Sequence, residues 1–101
     1  MATTSKTLFR GAATTNTATV LYTVPSATTT VVTNIVVTNT AGSSGTFTLG
    51  LGGTNFATTV TVGSYDSTVI DLKQVLTATQ TITGGASATS VNFHISGVEI
   101  V

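Results

Sequence analysis

The sequence predicts an all-β fold, an antiparallel sandwich of about eight strands, on three grounds. Thr and Val dominate a chain of 101 residues, and both side chains favour extended strands. Turn-forming Gly, Asn and Ser recur about every eight to twelve positions, which is the spacing of strands in sandwiches and barrels. Apolar residues alternate with polar ones, as in strands with one buried face. Alternation does not encode strand order, so an immunoglobulin-like and a jelly-roll-like sandwich both fit the pattern.

The first part of the chain is divided by small polar loops and one proline. Residues 1–17 comprise an N-terminal arm and a first edge strand, which covers residues 6–10. The arm either frays or orders against a neighbouring subunit. The single sandwich domain spans 18–101 and opens with a strand at 18–24. That strand ends at Pro25, because proline cannot donate a ladder hydrogen bond.

The third predicted strand, residues 29–38, lies in the uncharged stretch TTTVVTNIVVTNT, which contains VVTN twice. The two copies are offset by an odd number of residues, so a regular strand places equivalent residues on opposite faces. The face predicted to join the core carries Val31, Thr33, Ile35 and Val37. The candidate interface on the other face comprises Val32, Asn34, Val36 and Thr38. This second face either stays wet, as antiparallel sheets allow, or contacts another subunit or a particle.

The remaining predicted strands each have one apolar face and are separated by turns. They cover residues 46–51, 58–62, 68–72, 80–83 and 90–101. Their inward faces carry Phe47, Leu49 and Leu51, then Val60 and Val62, then Ile70 and Leu72, and finally Val91, Phe93 and Ile95. Residues 52–55 and 84–88 are predicted as a turn and a loop. After Gly97 the apolar residues change phase, which indicates either a bulge there or burial of both faces.

The composition is poor in charge. Charged residues make up 6% of the chain, against about 25% in average proteins, and the formal net charge is 0. A surface with little net charge favours association. The basic residues Lys6, Arg10 and Lys73 cannot supply the cluster of phosphate contacts that nucleic acid requires. No apolar run reaches the ~18 residues of a membrane span. We therefore expect neither nucleic acid nor a membrane as a partner.

The residues that could carry chemistry are few and form no known catalytic pattern. Asp71 and Glu99 lie in predicted strands and could pair across a sheet, but general acid/base catalysis needs carboxylates that converge in a cleft. His94 is the only histidine and is predicted on the face opposite Phe93 and Ile95. Without cysteine or a calcium-loop pattern, the chain offers no ordinary metal site. We expect no enzyme activity, no catalytic residue, no metal and no cofactor.

Five segments resemble small all-β virion structural proteins of tailed bacteriophages, of the head-decoration or tail-associated type. They are LYTVP (21–25), VVTNIVVTNT (31–40), TFTLGLGG (46–53), DLKQVLTATQTI (71–82) and VNFHISGVEIV (91–101). The resemblance covers about residues 18–101. The chain departs from the related pattern at Thr79-Gln80, where a Gly-Asp turn is usual.

This resemblance implies a capsid decoration protein that binds the major capsid protein as a homo-oligomer, for example a trimer. It also implies synthesis in the bacterial host cytoplasm and a final location on the capsid surface of the virion. The alternative is a tail- or fibre-associated module, either structural or binding a receptor or glycan. For a glycan-binding module, Tyr65 would be the expected contact ring.

Overall fold

Two antiparallel sheets of four strands each form the computed structural model, which describes residues 2–101. The strands are β1 (Thr3–Ala12), β2 (Val20–Thr23), β3 (Thr29–Asn39), β4 (Gly45–Leu51), β5 (Thr54–Val62), β6 (Ser67–Leu76), β7 (Thr81–Ala86) and β8 (Val91–Ile100). Sheet A has the order β1-β8-β3-β6, and sheet B has the order β2-β7-β4-β5. The predicted all-β sandwich is confirmed. Within the described residues, no helix is long and apolar enough to cross a membrane.

The strand order is that of a jelly roll. Strand β1 pairs with β8, β2 with β7, β3 with β6 and β4 with β5, so the chain forms one long antiparallel hairpin. Within β1–β4 and within β5–β8, each strand lies in the opposite sheet from the strand before it. The long hairpin is therefore folded over into a sandwich. In an immunoglobulin-like sandwich the first two strands share a sheet, whereas β1 and β2 lie in different sheets. Of the two alternatives, the chain adopts the jelly roll.

The tip of the hairpin is a two-residue turn between β4 and β5. Gly52 and Gly53 both have positive φ angles, +59° and +87°. A type I′ turn requires positive φ at both central positions, and glycine adopts it without steric cost. Strand β5 consequently starts at Thr54, inside the predicted turn at 52–55.

The core lies between the sheets and contains the inward residues that alternation predicts. Phe47, Leu49, Phe93 and Ile95 are fully buried. The rings of Phe47 and Phe93 meet edge to face with centroids 6.2 Å apart, and they join β4 of sheet B to β8 of sheet A. Val60 lies opposite Phe47 but remains exposed, because β5 is an edge strand. The other predicted inward residues also belong to the core or pack against it: Leu51, Val62, Ile70, Leu72 and Val91.

A β-bulge at Thr33 reverses the predicted faces in the first part of β3. Against β8, strand β3 carries one extra residue between Val32 and Asn34, which leaves Thr33 unpaired and exposed. Against β6, two residues, Leu72 and Lys73, lie across from Thr33. Val32 therefore points into the core and is 0% exposed, whereas Val31 faces outward. The predictions that Val32 lies on the candidate interface face and that Val31 and Thr33 join the core are wrong. One added residue inverts the alternation before it.

Strand β8 keeps one alternation from end to end, so the first of the two alternatives for Gly97, a bulge in this strand, is wrong. The apolar residues of the strand after Gly97 are instead half-buried on the outer face. Val98 and Ile100 point outward, and Glu99 points between the sheets. Gly97 instead lies beside the β3 bulge, where a Cβ atom would be 2.4 Å from the carbonyl oxygen of Val31. Only glycine leaves room for the bulged backbone at this point.

The predicted N-terminal arm is largely an edge strand. Strand β1 begins at Thr3 and pairs with β8 as far as Ala12. The first residues of β1 give no hydrophobic signal, so the extent of the strand depends on backbone hydrogen bonds to β8. Met1, the first residue of the predicted arm, lies outside the described residues.

Strand β7 extends into the predicted loop at 84–88. The amide groups of Gly84 and Ala86 donate hydrogen bonds of 2.9 Å to carbonyl oxygens of residues 13–19, which we call the covering segment. At Gly85 a Cβ atom would lie 2.4 Å from another carbonyl oxygen of this segment. The covering segment therefore closes over the outer side of β7, and backbone pairing, which side-chain patterns do not report, sets the end of that strand.

Candidate functional site

The outer face of sheet A carries valines in two rows that run across the strands. In the first row, Val31 of β3 lies between Val98 of β8 and Val75 of β6. In the second row, Val36 of β3 lies opposite Val69 of β6. Val69 and Val75 are 61% and 60% exposed. These five residues, the valine rows, stand next to one another because the register aligns their strands.

A polar strip separates the valine rows at the level of the bulge. Asn34 lies opposite Ser96 of β8 and Asp71 of β6. Its side-chain amide donates to the Asp71 carboxylate, with Nδ2 and Oδ1 3.4 Å apart. The Thr33 hydroxyl donates to the carbonyl oxygen of Ser96 at 3.3 Å. The bulge thus sets the spacing of the two rows and places a hydroxyl group between them.

Charge on this face is confined to its two edges. Arg10 lies on the edge strand β1, opposite His94 of β8. Asp71 and Lys73 lie on the other edge strand, β6. The central strands β8 and β3 present only uncharged side chains outward when His94 is neutral. A partner that covers the face therefore meets uncharged central strands, with two rows of valines and a polar strip between them, flanked by charges.

The outer face of sheet B is polar by comparison. The register directs a set of threonines outward, namely Thr23, Thr46, Thr61, Thr81 and Thr83. Val20, 55% exposed, is an apolar exception on this face. The covering segment closes part of the face over β7. Phe56 and Val60 on the edge strand β5 are also exposed, but they lie at one edge of sheet B. Among the described residues, the broader apolar surface is the outer face of sheet A.

A polar cluster joins the two sheets inside the sandwich. The Tyr22 hydroxyl of β2 donates to the Glu99 carboxylate, and Lys6 Nζ lies 3.3 Å from Glu99 Oε1. The Tyr22 hydroxyl also lies 3.0 Å from the Thr30 hydroxyl. The hydrogen bond from Tyr22 lowers the pKa of Glu99, burial opposes this effect, and Lys6 reinforces it. Burial, together with the hydrogen bond to Glu99, raises the pKa of Tyr22.

The two carboxylates considered as a pair lie on opposite sides of sheet A. Glu99 points into the sandwich and Asp71 lies on the outer face, so they do not converge. His94 faces outward, opposite to Phe93 and Ile95, as predicted. Within residues 2–101, no group of three or more acidic, histidine or cysteine side chains is placed to hold a metal ion.

Three of the four candidate interface residues lie on the outer face of sheet A, namely Asn34, Val36 and Thr38. Val32 does not, because of the bulge. Sequence reasoning missed four further residues of this face, Val31, Val69, Val75 and Val98. The outward position of Val69 could have been predicted from the sequence, because neighbouring residues of a strand point to opposite faces and Ile70 was predicted to point inward. The binding role of the whole set stays a prediction.

A scan against protein-family models found no matching family, and a search of curated proteins found no match for this chain. Its function is therefore inferred from its own surface and interior. The interior polar groups are hydrogen-bonded among themselves, with no buried side-chain nitrogen or oxygen lacking a partner among the described residues. The remaining feature of interest is the set of exposed valines on the outer face of sheet A.

Proposed function

We propose that this protein is a virion structural protein of a tailed bacteriophage. In this proposal it is a capsid decoration protein that binds the major capsid protein as a homo-oligomer. The observation that carries the proposal is the pair of valine rows on the outer face of sheet A. Single exposed apolar residues are normal, but a contiguous apolar patch marks an interaction site.

The charge of the chain also supports a fixed place in an assembly. Only 6% of its residues are charged, and the formal net charge is 0. Net charge keeps proteins soluble and apart, so its absence favours association. Of the few charged side chains, Lys6 and Glu99 form an ion pair within the chain, so these two charges neutralise each other. Jelly rolls occur in viral capsid proteins, which adds an argument from fold analogy alone.

The proposed mechanism is stabilisation by mass action. A protein that binds the assembled shell, and not its free subunits, shifts the equilibrium towards the shell. Contacts repeated by the symmetry of the shell add avidity without any new chemistry. A rigid sandwich suits this role, because its faces lose little conformational freedom on binding.

The test is to locate the protein on purified virions and to add it to empty capsid shells. Mass spectrometry should detect it in virions, and density should place it on the head. The purified protein should sediment with expanded shells, saturate, and raise their unfolding temperature. Absence from virions, or a position on the tail alone, would contradict the decoration proposal.

A matched pair of variants tests whether the valine rows matter for that binding. Val69→Lys and Val20→Lys change similarly exposed valines on opposite faces of the sandwich. The first should abolish binding to shells, because it places a charge inside the valine rows, on which assembly of the homo-oligomer is proposed to depend. The second should leave binding unchanged. Equal binding by both variants would show that the outer face of sheet A is not used.

A second candidate function is a glycan- or receptor-binding module on a tail or fibre, favoured by Tyr65. This ring is 77% exposed in the turn between β5 and β6. Aromatic rings with a polar tip are common at binding surfaces. A glycan array with the isolated chain tests this candidate, with Tyr65→Ala as the variant that should lose binding. No binding to any host saccharide would remove it.

A further inference from the structure

The outer face of sheet A has the size that a small specific interface needs. Four strands about 4.8 Å apart, with about ten residues at about 3.3 Å each, give a flat face of roughly 500–600 Å². Two such faces in contact would bury roughly 1,000–1,200 Å² in total, which meets the ~1,000 Å² needed for a biological interface and reaches the lower bound of ~1,200 Å² for stable specific complexes. A matching partner would be another flat surface of similar size and apolar character.

The charges at the two edges indicate which surface matches. Arg10 on β1 pairs with His94, which pairs with Val36, so Arg10 lies in the same row across the strands as Val36. Asp71 on β6 pairs with Asn34 and so lies in the neighbouring row. A partner should place a negative group near Arg10 and a positive group near Asp71, with apolar side chains between. The outer face of sheet A has this arrangement itself when it is turned about an axis parallel to its strands.

We propose that a second copy of this chain covers the face, related by a two-fold axis parallel to the strands. Strand β1 of each copy then lies over β6 of the other, and β8 lies over β3. Arg10 lies over the partner's Val69, one row from the partner's Asp71, and the two-fold axis repeats this approach of opposite charges. Val31 and Val98 lie over the partner's Val98 and Val31. The proposal rests on the proposed function, because it names the partner of the valine rows in the homo-oligomer.

The other two-fold arrangement, with its axis across the strands, brings like charges together. It lays β6 over β6, so Asp71 approaches the partner's Asp71, and juxtaposed like charges disfavour binding. In the proposed arrangement Lys73 lies near the partner's Thr7, on a stretch of β1 without outward charge. Sheets that pack face to face keep their strands within about 30° of each other, which this axis allows.

The test measures the molar mass of the purified full chain by sedimentation and light scattering over a concentration series at low ionic strength. We expect a dimer. Arg10→Asp and Asp71→Arg should each weaken dimerisation at least about tenfold, because each places like charges near one another. The variant with both changes should dimerise as the wild type does, since it restores opposite charges.

Val20→Lys is the matched control, because it adds a charge at an exposed position on the outer face of sheet B. Arg10 and Asp71 are exposed as well, so the fold should tolerate their exchange, and thermal unfolding checks each variant. Four outcomes would each overturn the proposal. They are a monomeric wild type, a trimer, single variants that dimerise normally, and a double variant that fails to recover.

The failure of this test and the failure of the test for the proposed function can be told apart. A dimer that is absent from virions would refute the decoration role and leave the two-fold contact intact. A monomer that decorates shells would refute the two-fold contact alone, and would indicate that the capsid protein covers the valine rows.

Discussion

The outer faces of the two sheets carry side chains of nearly the same shape but of different polarity. Sheet A presents two rows of valines on its outer face, whereas sheet B presents mostly threonines. Both residues are β-branched and favour strands, so the choice between them does not decide whether a strand forms. It decides whether the face stays hydrated, because a threonine hydroxyl remains bonded to water. Strand propensity and surface chemistry can therefore be read separately in this chain.

The two faces also differ in what the chain itself places over them. The covering segment, residues 13–19, packs on sheet B above Gly85. Over sheet A, the described residues place no comparable segment. The outer face that the chain covers is the hydrophilic one, and the face with the valine rows has no such cover among the described residues.

The largest expected effect concerns Gly97, beside the bulge that shapes the sheet A face. Gly97→Ala should lower the free energy of unfolding by about 3 kcal/mol, because its Cβ would lie 2.4 Å from the Val31 carbonyl oxygen. Gly11→Ala is the control, since its Cβ would contact the Phe9 ring at an ordinary 3.6 Å. Urea unfolding measures both. Equal stabilities would show that the bulge does not need glycine.

The next effect concerns the polar cluster that joins the two sheets. Tyr22→Phe should lower the free energy of unfolding by about 2 kcal/mol, because Glu99 loses a charge-assisted hydrogen bond. Tyr65→Phe provides the matched control, since that ring is exposed. Denaturant titration of both variants should show a loss only for Tyr22→Phe, and an equal response would argue against the cluster as a link between the sheets.

Acid should weaken the same link. The pKa of Glu99 is lowered in the folded protein from its ordinary value of 4.5, so its carboxylate contributes stability that is complete above pH 4.5. This contribution is lost as the pH falls through the lowered folded-state pKa. Unfolding temperatures measured from neutral pH downward should therefore fall less steeply in Glu99→Gln. An identical acid profile would contradict the assignment.

The smallest change in stability, and the sharpest test of the comparison, comes from exchanging the chemistry of the two faces. Val69→Thr with Val75→Thr should change the free energy of unfolding by no more than about 0.5 kcal/mol, because both positions are exposed. The same variant should self-associate more weakly. Thr81→Val with Thr83→Val should instead promote association through sheet B. Light scattering measures both, and unchanged association in both would remove the proposed division of roles.

Alternation predicted most of the core because it depends only on the period of a single strand. Phe47, Leu49, Phe93 and Ile95 lie where the pattern places them. The order of the strands in the sheets could not be predicted in this way, because the alternation of apolar residues within one strand does not depend on which strands lie beside it. The partner of Glu99 was equally unreadable, since Lys6 lies 93 positions away along the chain.

The sequence by itself determined that this chain forms short strands with one buried face, because β-branching, alternation and turn glycines act locally. Only the tertiary structure decided which faces the VVTN copies occupy. Strand β3 fits the register of β8 by bulging at Thr33, and two residues of β6 lie across from the bulge. The extra residue brings the valine pairs of the two copies into one phase, so Val31 and Val36 point outward while Val32 and Val37 are buried. Pairing with neighbouring strands, rather than the pattern within one strand, thus created the apolar face.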